Sequence, residues 1–527
     1  MSVRILCTSL LLFLFCCVST SAQTCFHKLL NEGIKAYNAQ LYKESIHYLR
    51  QAQECNDRPR VHKLRTWIDR AQQAYITQLE NEAKGNDPNV AAKTQILLAQ
   101  KDSVNQVLKA ENQQISQEKN IALAEKDALS SLQLPSQQKY RKTRLALQSM
   151  QGLKQNSGNL NDPTLLVALY DAAKSLHDNG TFDYLKPNSE AVRVLQMHPN
   201  DKLLMSGWSS GQLSAWQNDT TWGVFVDSLL ENHPLASVTA KEPLIRWAAS
   251  PSGDWMIASG GQDLHLWNKR SSVHQTVQLH GEKMSNQVQF WPDESSIISA
   301  GGDNFIRLYD LRTQETRPIM GYGARVNAFT MIPDNDEVIF AGSDGILMRT
   351  SLQRRELVDV LSENFPRGIN HLQAIPDLPF QDTLATALVA TREDGNILIY
   401  TIEEEKVRIF NRLPTHGSVV SDILLQDSIL FITSLDGTLS IWDTQKMLEI
   451  DYEPLVFEGK EWMLTITYDP ETQSIITGDL HGGIQYWNLD PNYYMQKIRS
   501  RLEELQNQTE TESASLNKLL ELCNASN

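Results

Sequence analysis

Seven stretches of this chain end in the same way. SGWSSGQLSAW closes on Trp216, ASGGQDLHLW on Trp267, SAGGDNFIRLY on Tyr309, AGSDGILMRT on Thr350, ATREDGNILIY on Tyr400, TSLDGTLSIW on Trp442 and TGDLHGGIQYW on Trp487. The closing residues stand 51, 42, 41, 50, 42 and 45 positions apart. A self-similar unit of that length cannot bury its own apolar face and must stack on its neighbours, so the repeat constrains the fold more than composition does. Upstream of several closings runs a second pattern: VRVLQMHP from Val192, VNAFTMIP from Val326, INHLQAIP from Ile369 and MLTITYDP from Met463. Its apolar residues alternate with period two, which reads as a strand. A turn, an apolar run such as SIIS or EVIFA, a Gly/Asp turn and the closing strand follow. Each period is therefore a meander of short antiparallel strands.

Units of this length that end in an aromatic after an Asp-containing turn resemble the WD-repeat family. The likeness rests on Trp442-Asp443 and Tyr309-Asp310, and on an Asp six positions before the closing residue at Asp303, Asp344, Asp394 and Asp436. Ser210, Gly261 and His481 stand there in the other three units, and Thr350 replaces one aromatic. The resemblance implies a seven-bladed β-propeller over residues 181–491. Trp216, Trp267, Tyr309, Tyr400, Trp442 and Trp487 would then close its blades. After Trp487 the chain turns helical at once, which leaves the last blade without an outer strand. TFDYL, Thr181 to Leu185, is expected to supply it and to cover the open edge.

Helices are expected on both sides of the repeats. Residues 25–57 read as two amphipathic helices around a turn, with Gly33, Ala36, Ser45, Leu49 and Ala52 spaced as in a tetratricopeptide repeat, which this segment resembles. A third helix follows from about Val61 to Lys84. Beyond the Gly85 to Pro88 break, an Ala/Gln/Lys/Glu-rich helix from Val90 to about Leu132 would reach roughly 65 Å. Two shorter helices come next, Tyr140 to Leu153 and Pro163 to Leu176, the latter with Pro in its first turn. A helical tail with an apolar stripe closes the chain, and such a stripe is expected to dock on its own protein. The fold class expected is multidomain, α plus all-β. Its parts are a signal peptide at 1–22, a tetratricopeptide-like domain at 23–84, a long helix and connector at 85–180, the propeller at 181–491 and a tail at 492–527.

Arg4, the apolar run from Leu10 to Val18 and the small residues Thr20-Ser21-Ala22 before Gln23 form that signal peptide, so the chain is expected to be exported, periplasmic or at the cell surface. No other stretch is apolar for long enough to serve as a transmembrane anchor. Of six cysteines, Cys25, Cys55 and Cys523 remain beyond the cleavage point. Cys25 and Cys55, at the two ends of a helical hairpin, are expected to form a disulfide. This order of modules resembles exported bacterial proteins in which helical repeats precede a WD-repeat propeller, and Ala22-Gln23 is similar to signal ends common in Bacteroidota.

The net charge of −15 argues against nucleic acid. Motifs for chemistry are missing: there is no paired CxxC, HExxH or P-loop string, and neither metal nor cofactor is expected. GWSSG at 207–211 has the letters of a nucleophile elbow but falls in a turn between two strands. Asp334, Asp336 and Glu337 read as a solvated hairpin turn, and His265 as structural. The leading expectation is thus a non-enzymatic scaffold that holds a protein partner, itself exported or of the envelope. Alternatives are a propeller enzyme or carbohydrate/peptide binder with a site at the central channel, and a component of a secretion or motility machine. From the resemblance, the positions just before the inner strands, with their neighbours, mark a rim for partners: Met284, Arg325, Arg367, His416 and Trp462.

Overall fold

The computed structural model describes residues 25–526 apart from 54, 56–63, 84–87, 178–182, 199–202, 219–224, 227–243, 272, 333–335, 353–356, 362–366, 381–382, 403–406, 414–417, 450–451, 453 and 509–512. The chain divides into two compact units, 1–119 and 120–527.

In the first unit, α1 (Cys25–Asn38) and α2 (Tyr42–Gln53) form a hairpin, and α3 (Leu64–Ala83) packs on it. The hairpin closes tightly because Gly33 offers no side chain. A Cβ there would lie 2.6 Å from Leu49, and the Ser45 hydroxyl donates to the Gly33 carbonyl at 2.7 Å. Phe26, Leu49, Ala52, Leu64, Ile68 and Ala71 fill the small core. Cys55 is buried here and disulfide-bonded. The side chain of Cys25, its expected partner, lies outside the described residues. The long helix α4 (Pro88–Leu132) follows.

The second unit holds seven four-stranded antiparallel sheets. In the second strands of four blades, Leu203–Trp208, Ser296–Gly301, Glu337–Gly342 and Ser474–Asp479, every residue is buried. Both faces of such a strand are covered by neighbouring blades, which is why these stretches read as apolar runs and not as alternation. The core accordingly lies between blades. Each of four closing aromatics shares a core cluster with residues of the preceding blade: Trp267 with Met205 and Leu213, Tyr309 with Leu264 and Leu266, Tyr400 with Ile339 and Leu347, and Trp442 with Ile397 and Ile399. Trp216 and Trp487 do the same at the junctions of blade 7 with blade 1 and of blade 6 with blade 7. Where Thr350 stands in place of an aromatic, Phe340, Phe329 and Tyr322 fill the junction between blades 3 and 4.

The ring closes through Tyr184–Leu185, which pairs antiparallel with the third strand of blade 7, Tyr184 opposite Gln485 and Leu185 opposite Ile484. Thr181 and Phe182, the rest of the expected stretch, lie outside the described residues. Two ladder positions make a weak latch, and side chains reinforce it. The Tyr184 hydroxyl donates to Asp479 at 2.7 Å, while Asp183 accepts from Tyr493 at 2.5 Å and Lys497 at 2.7 Å.

Helices from both ends of the chain meet on blades 6 and 7. The end of α4, with α5 (Lys139–Gln155), α6 (Pro163–Leu176), α7 (Pro491–Gln508) and α8 (Ser513–Ser526), shares one core with Phe431, Ile441, Phe457, Ile466 and Trp487. Asp162 caps α6, its carboxylate accepting from Leu165 N at 3.1 Å, with Pro163 in the first turn as the sequence requires. Tyr170 stands at the centre, its ring 4.9 Å from Phe457, 5.2 Å from Trp487 and 5.7 Å from Tyr494. The apolar stripe of the tail is docked on its own chain, and Cys523 is a free, buried thiol within it.

Glu337 differs from expectation. It begins the second strand of blade 4, buried, and accepts from Arg349 Nε at 2.9 Å and Nη2 at 2.6 Å. A carboxylate enclosed between blades needs such a partner, and Arg349 on the adjacent strand supplies it.

Candidate functional site

The Gly/Asp turns build one rim of the ring. Asp303, Asp344, Asp394 and Asp436 each accept at Oδ1 from the backbone N–H two residues on, at 3.2, 3.1, 3.1 and 3.0 Å. In blade 7, where His481 occupies the aligned position, Asp479 takes over, accepting from His481 N at 2.8 Å and Gly483 N at 2.7 Å. Asp303 also holds His280 at 2.6 Å, whose other ring nitrogen lies 2.8 Å from Ser299 Oγ. Burial keeps His280 below its ordinary pKa, so Nδ1–H donates to Asp303 and Nε2 accepts from Ser299. Gly345, with φ +73°, packs where a Cβ would sit 2.4 Å from the carbonyl of Arg367, which brings the turn of one blade against the loop that leads into the next.

Met284, Arg325 and Trp462 directly precede the inner strands of blades 3, 4 and 7, and Arg367 stands two residues before that of blade 5. Their placement is rigid. Gly302 N donates to Met284 O, Ser343 N to Arg325 O and Leu480 N to Trp462 O, each at 3.0 Å. Trp462 is 54% exposed and Met284 39%, both high for large apolar side chains. Arg325 and Arg367 are exposed as well. His416 lies outside the described residues.

Inside the rim, one irregularity recurs in every blade. The inner strands Val192–Met197, Leu244–Ala249, Ser285–Phe290, Val326–Ile332, Ile369–Phe380, Val420–Gln426 and Met463–Asp469 all skip one residue in their pairing, between the first and third positions. The skipped residues are Arg193, Ile245, Asn286, Asn327, Asn370, Ser421 and Leu464. A bulge re-aims the side chain of its extra residue. Six of these seven line a single cavity of about 380 Å³ at the channel mouth, together with Arg246, Arg325 and His371. The side chain of Ile245 lies outside the described residues.

Side chains of the inner strands also satisfy the backbone of the next blade, whose inner edge would otherwise be unpaired. Gln287 donates to Phe329 O at 3.0 Å and accepts from Phe329 N at 2.8 Å; Thr465 accepts from Leu195 N at 3.2 Å and Thr467 from Met197 N at 3.1 Å. Asp422 accepts from Ile466 N at 3.2 Å. Gln287, Asp422 and Thr465 line a second cavity of about 400 Å³, which shares Arg246 and His371 with the mouth.

Electrostatically the two cavities differ. No Asp or Glu is among the described residues of the mouth, which carries three arginines. Deeper down, burial and then the charge of Arg246 push the His371 imidazole down to about 3, so it is neutral. Burial raises the Asp422 carboxyl, against the pull of Arg246 and of backbone N–H groups. Ser421, His371 and Asp422 are the residue types of a hydrolytic triad, but they are not wired as one. His371 Nδ1 is 4.0 Å from Asp422, beyond hydrogen-bond range, and the Ser421 hydroxyl donates to Thr433 at 3.1 Å. Among the described residues no group of His, Cys, Asp and Glu is placed to hold a metal ion.

Reading only the positions just before the strands misses Arg193, Arg246, His371 and Asp422. A signal for them exists: VRV, IRW, VNA, INH and VSD each put a polar residue second or third in a strand that is otherwise largely apolar.

The second unit is a seven-bladed β-propeller with its own helical bundle packed on blades 6 and 7. No protein-family model matches the chain. It is similar to Shk1 kinase-binding protein 15 of Schizosaccharomyces pombe, 24% identical over 193 residues, 36% of this chain and 51% of the relative. It is also similar to WD repeat-containing protein 74 of Bos taurus, 22% identical over 194 residues, 34% and 48% of the two chains. A shorter likeness, 30% over 99 residues, 18% and 10% of the two chains, is to human DDB1- and CUL4-associated factor 5. The chain spans about half or less of the length of these relatives. Together the blades and these relatives support the WD-repeat β-propeller family.

Proposed function

We propose that the protein is a non-enzymatic scaffold whose channel rim receives a protein partner. The observation that carries this reading is the rim itself. Trp462, Met284 and Arg325 are exposed on backbone held in place by a repeated hydrogen bond, with Arg367 exposed beside them, around a polar mouth. Trp and Arg are the residue types that most often anchor interfaces, and a rigid backbone lowers the entropy lost when they do. Relatives named as a kinase-binding protein and as an associated factor support the same reading. The helical unit at the N-terminus offers a second surface.

Export is part of the proposal. It rests on the leader-like residues 1–22 and is supported by the disulfide-bonded Cys55, since such bonds persist in oxidising compartments. In that setting the partner is an envelope or exported protein, and a secretion or motility assembly is one place for such a scaffold. The second reading, a small-ligand or carbohydrate site, is favoured by the cavity in the channel.

Trp462→Ala and Arg325→Ala test the rim. With an unchanged melting temperature, each should lower the amount of partner recovered with the tagged chain from its native source several-fold. Undiminished recovery would remove this rim as the docking surface.

A further inference from the structure

We infer that the channel mouth is a carboxylate site that takes the acidic tip of a partner's peptide chain between Arg193, Arg246 and Arg325. This deepens the rim reading and rests on it. Three guanidinium groups from blades 1, 2 and 4 converge on one cavity of about 380 Å³ that no described carboxylate lines, and of these Arg246 also acts on the Asp422 carboxyl in the adjoining cavity. In a chain of net charge −15 this concentration is not a by-product of composition. Arg193 is exposed and pairs with no described acid, and Arg325 uses only Nε, donating to Asn327 Oδ1 at 2.9 Å. Its two Nη groups point to no described partner, and a guanidinium fork matches a carboxylate in two parallel hydrogen bonds. His371, neutral below them, adds no charge of its own.

The mouth also offers acceptors. Asn286 commits its Nδ2 to Val326 O at 2.6 Å and so keeps its carboxamide oxygen, and Asn370 brings a second carboxamide to the same wall. An acceptor there calls for N–H donors, which a peptide backbone carries and a phosphate lacks. The volume stands near the low end for ligand pockets, about 300 to 1,000 Å³, which suits a chain end or one or two side chains and not a folded domain.

The test uses the full chain against a display library of random hexapeptides with free C-terminal carboxylates, with inorganic phosphate as a separate probe. Enriched peptides should carry Asp or Glu, or lose binding when amidated. Arg193→Gln and Arg246→Gln should each weaken them about tenfold or more, with affinity falling as salt rises. Enrichment of peptides without acidic groups, or equal binding to Arg193→Gln and wild type, would overturn the inference. Saturation by phosphate with no acidic peptide retained would overturn it too and assign the mouth to a free oxyanion. Peptides lost with Trp462→Ala but kept by Arg193→Gln and Arg246→Gln would leave the rim reading standing and remove only the carboxylate. Retention of no peptide, with partner recovery unchanged in Trp462→Ala, would remove both.

Discussion

His371 shows how a single side chain inside the ring ties stability to pH. Burial first, and Arg246 second, hold its folded pKa at about 3, whereas an unfolded chain titrates its histidines near 6.5. Between those values the unfolded state binds the extra proton, so stability falls as pH drops from about 6.5 toward 3, by about 1.4 kcal/mol per pH unit within the window. His265, His274 and His280 are shifted down as well and act with the same sign. Asp422 acts against them, because burial raises its pKa and lets the folded state take up a proton before the unfolded one does. A His371→Gln variant isolates the effect. In urea titrations at successive pH values it should gain on wild type steadily as pH falls below about 6.5. Parallel curves would mean that His371 is solvated and charged. The residue's position was readable, since INHLQAIP marks a strand, but its neutrality was not. That depends first on burial inside the closed ring and second on Arg246, 125 positions earlier, being carried to the same channel.

Among the elements, the latch at Tyr184–Leu185 is only two residues long, and it joins the two ends of the ring. The need for it was legible: the last blade lacked an outer strand and one unclaimed strand-like stretch lay ahead of the first. What holds so short a strand was not legible, because the clasp is made by side chains from distant segments. Asp183 bonds to Tyr493 and Lys497 on α7, and Tyr184 to Asp479 in the turn of blade 7. Asp183→Ala removes two charge-assisted contacts at once and should cost about 1 to 3 kcal/mol in chemical denaturation. Tyr184→Phe should cost less, as it removes one. An unchanged denaturation midpoint in Asp183→Ala would show that the ladder alone closes the ring.

At the scale of the molecule, the second unit is one ring with a helical bundle joined to two of its blades. The tail was expected to dock on its own chain. Its structure goes further, since α7 and α8 complete a core begun by α5 and α6 more than 300 residues earlier. Truncation after Asp490 would remove Tyr494 from Tyr170 and open the core that α7 and α8 share with α5 and α6, an apolar surface of the kind that drives association. The truncated chain should therefore aggregate or elute as oligomers on size exclusion. A monomer with the melting temperature of the full chain would show that the propeller stands without the bundle.

Sequence alone determined what depends on local pattern. The number and phase of the blades, the Asx turns at Asp303, Asp344, Asp394 and Asp436, and the closing aromatics all follow from spacing within about 45 residues. Tertiary structure alone decided what depends on register and closure. The turn that Asp479 makes with His481 and Gly483 lies within one hairpin, whereas the burial of Glu337 with Arg349 is not a local property. The same holds for the channel mouth. A bulge arises from how one strand meets its neighbour, and only the closed ring brings six bulged residues, spread from Arg193 to Leu464, to one cavity.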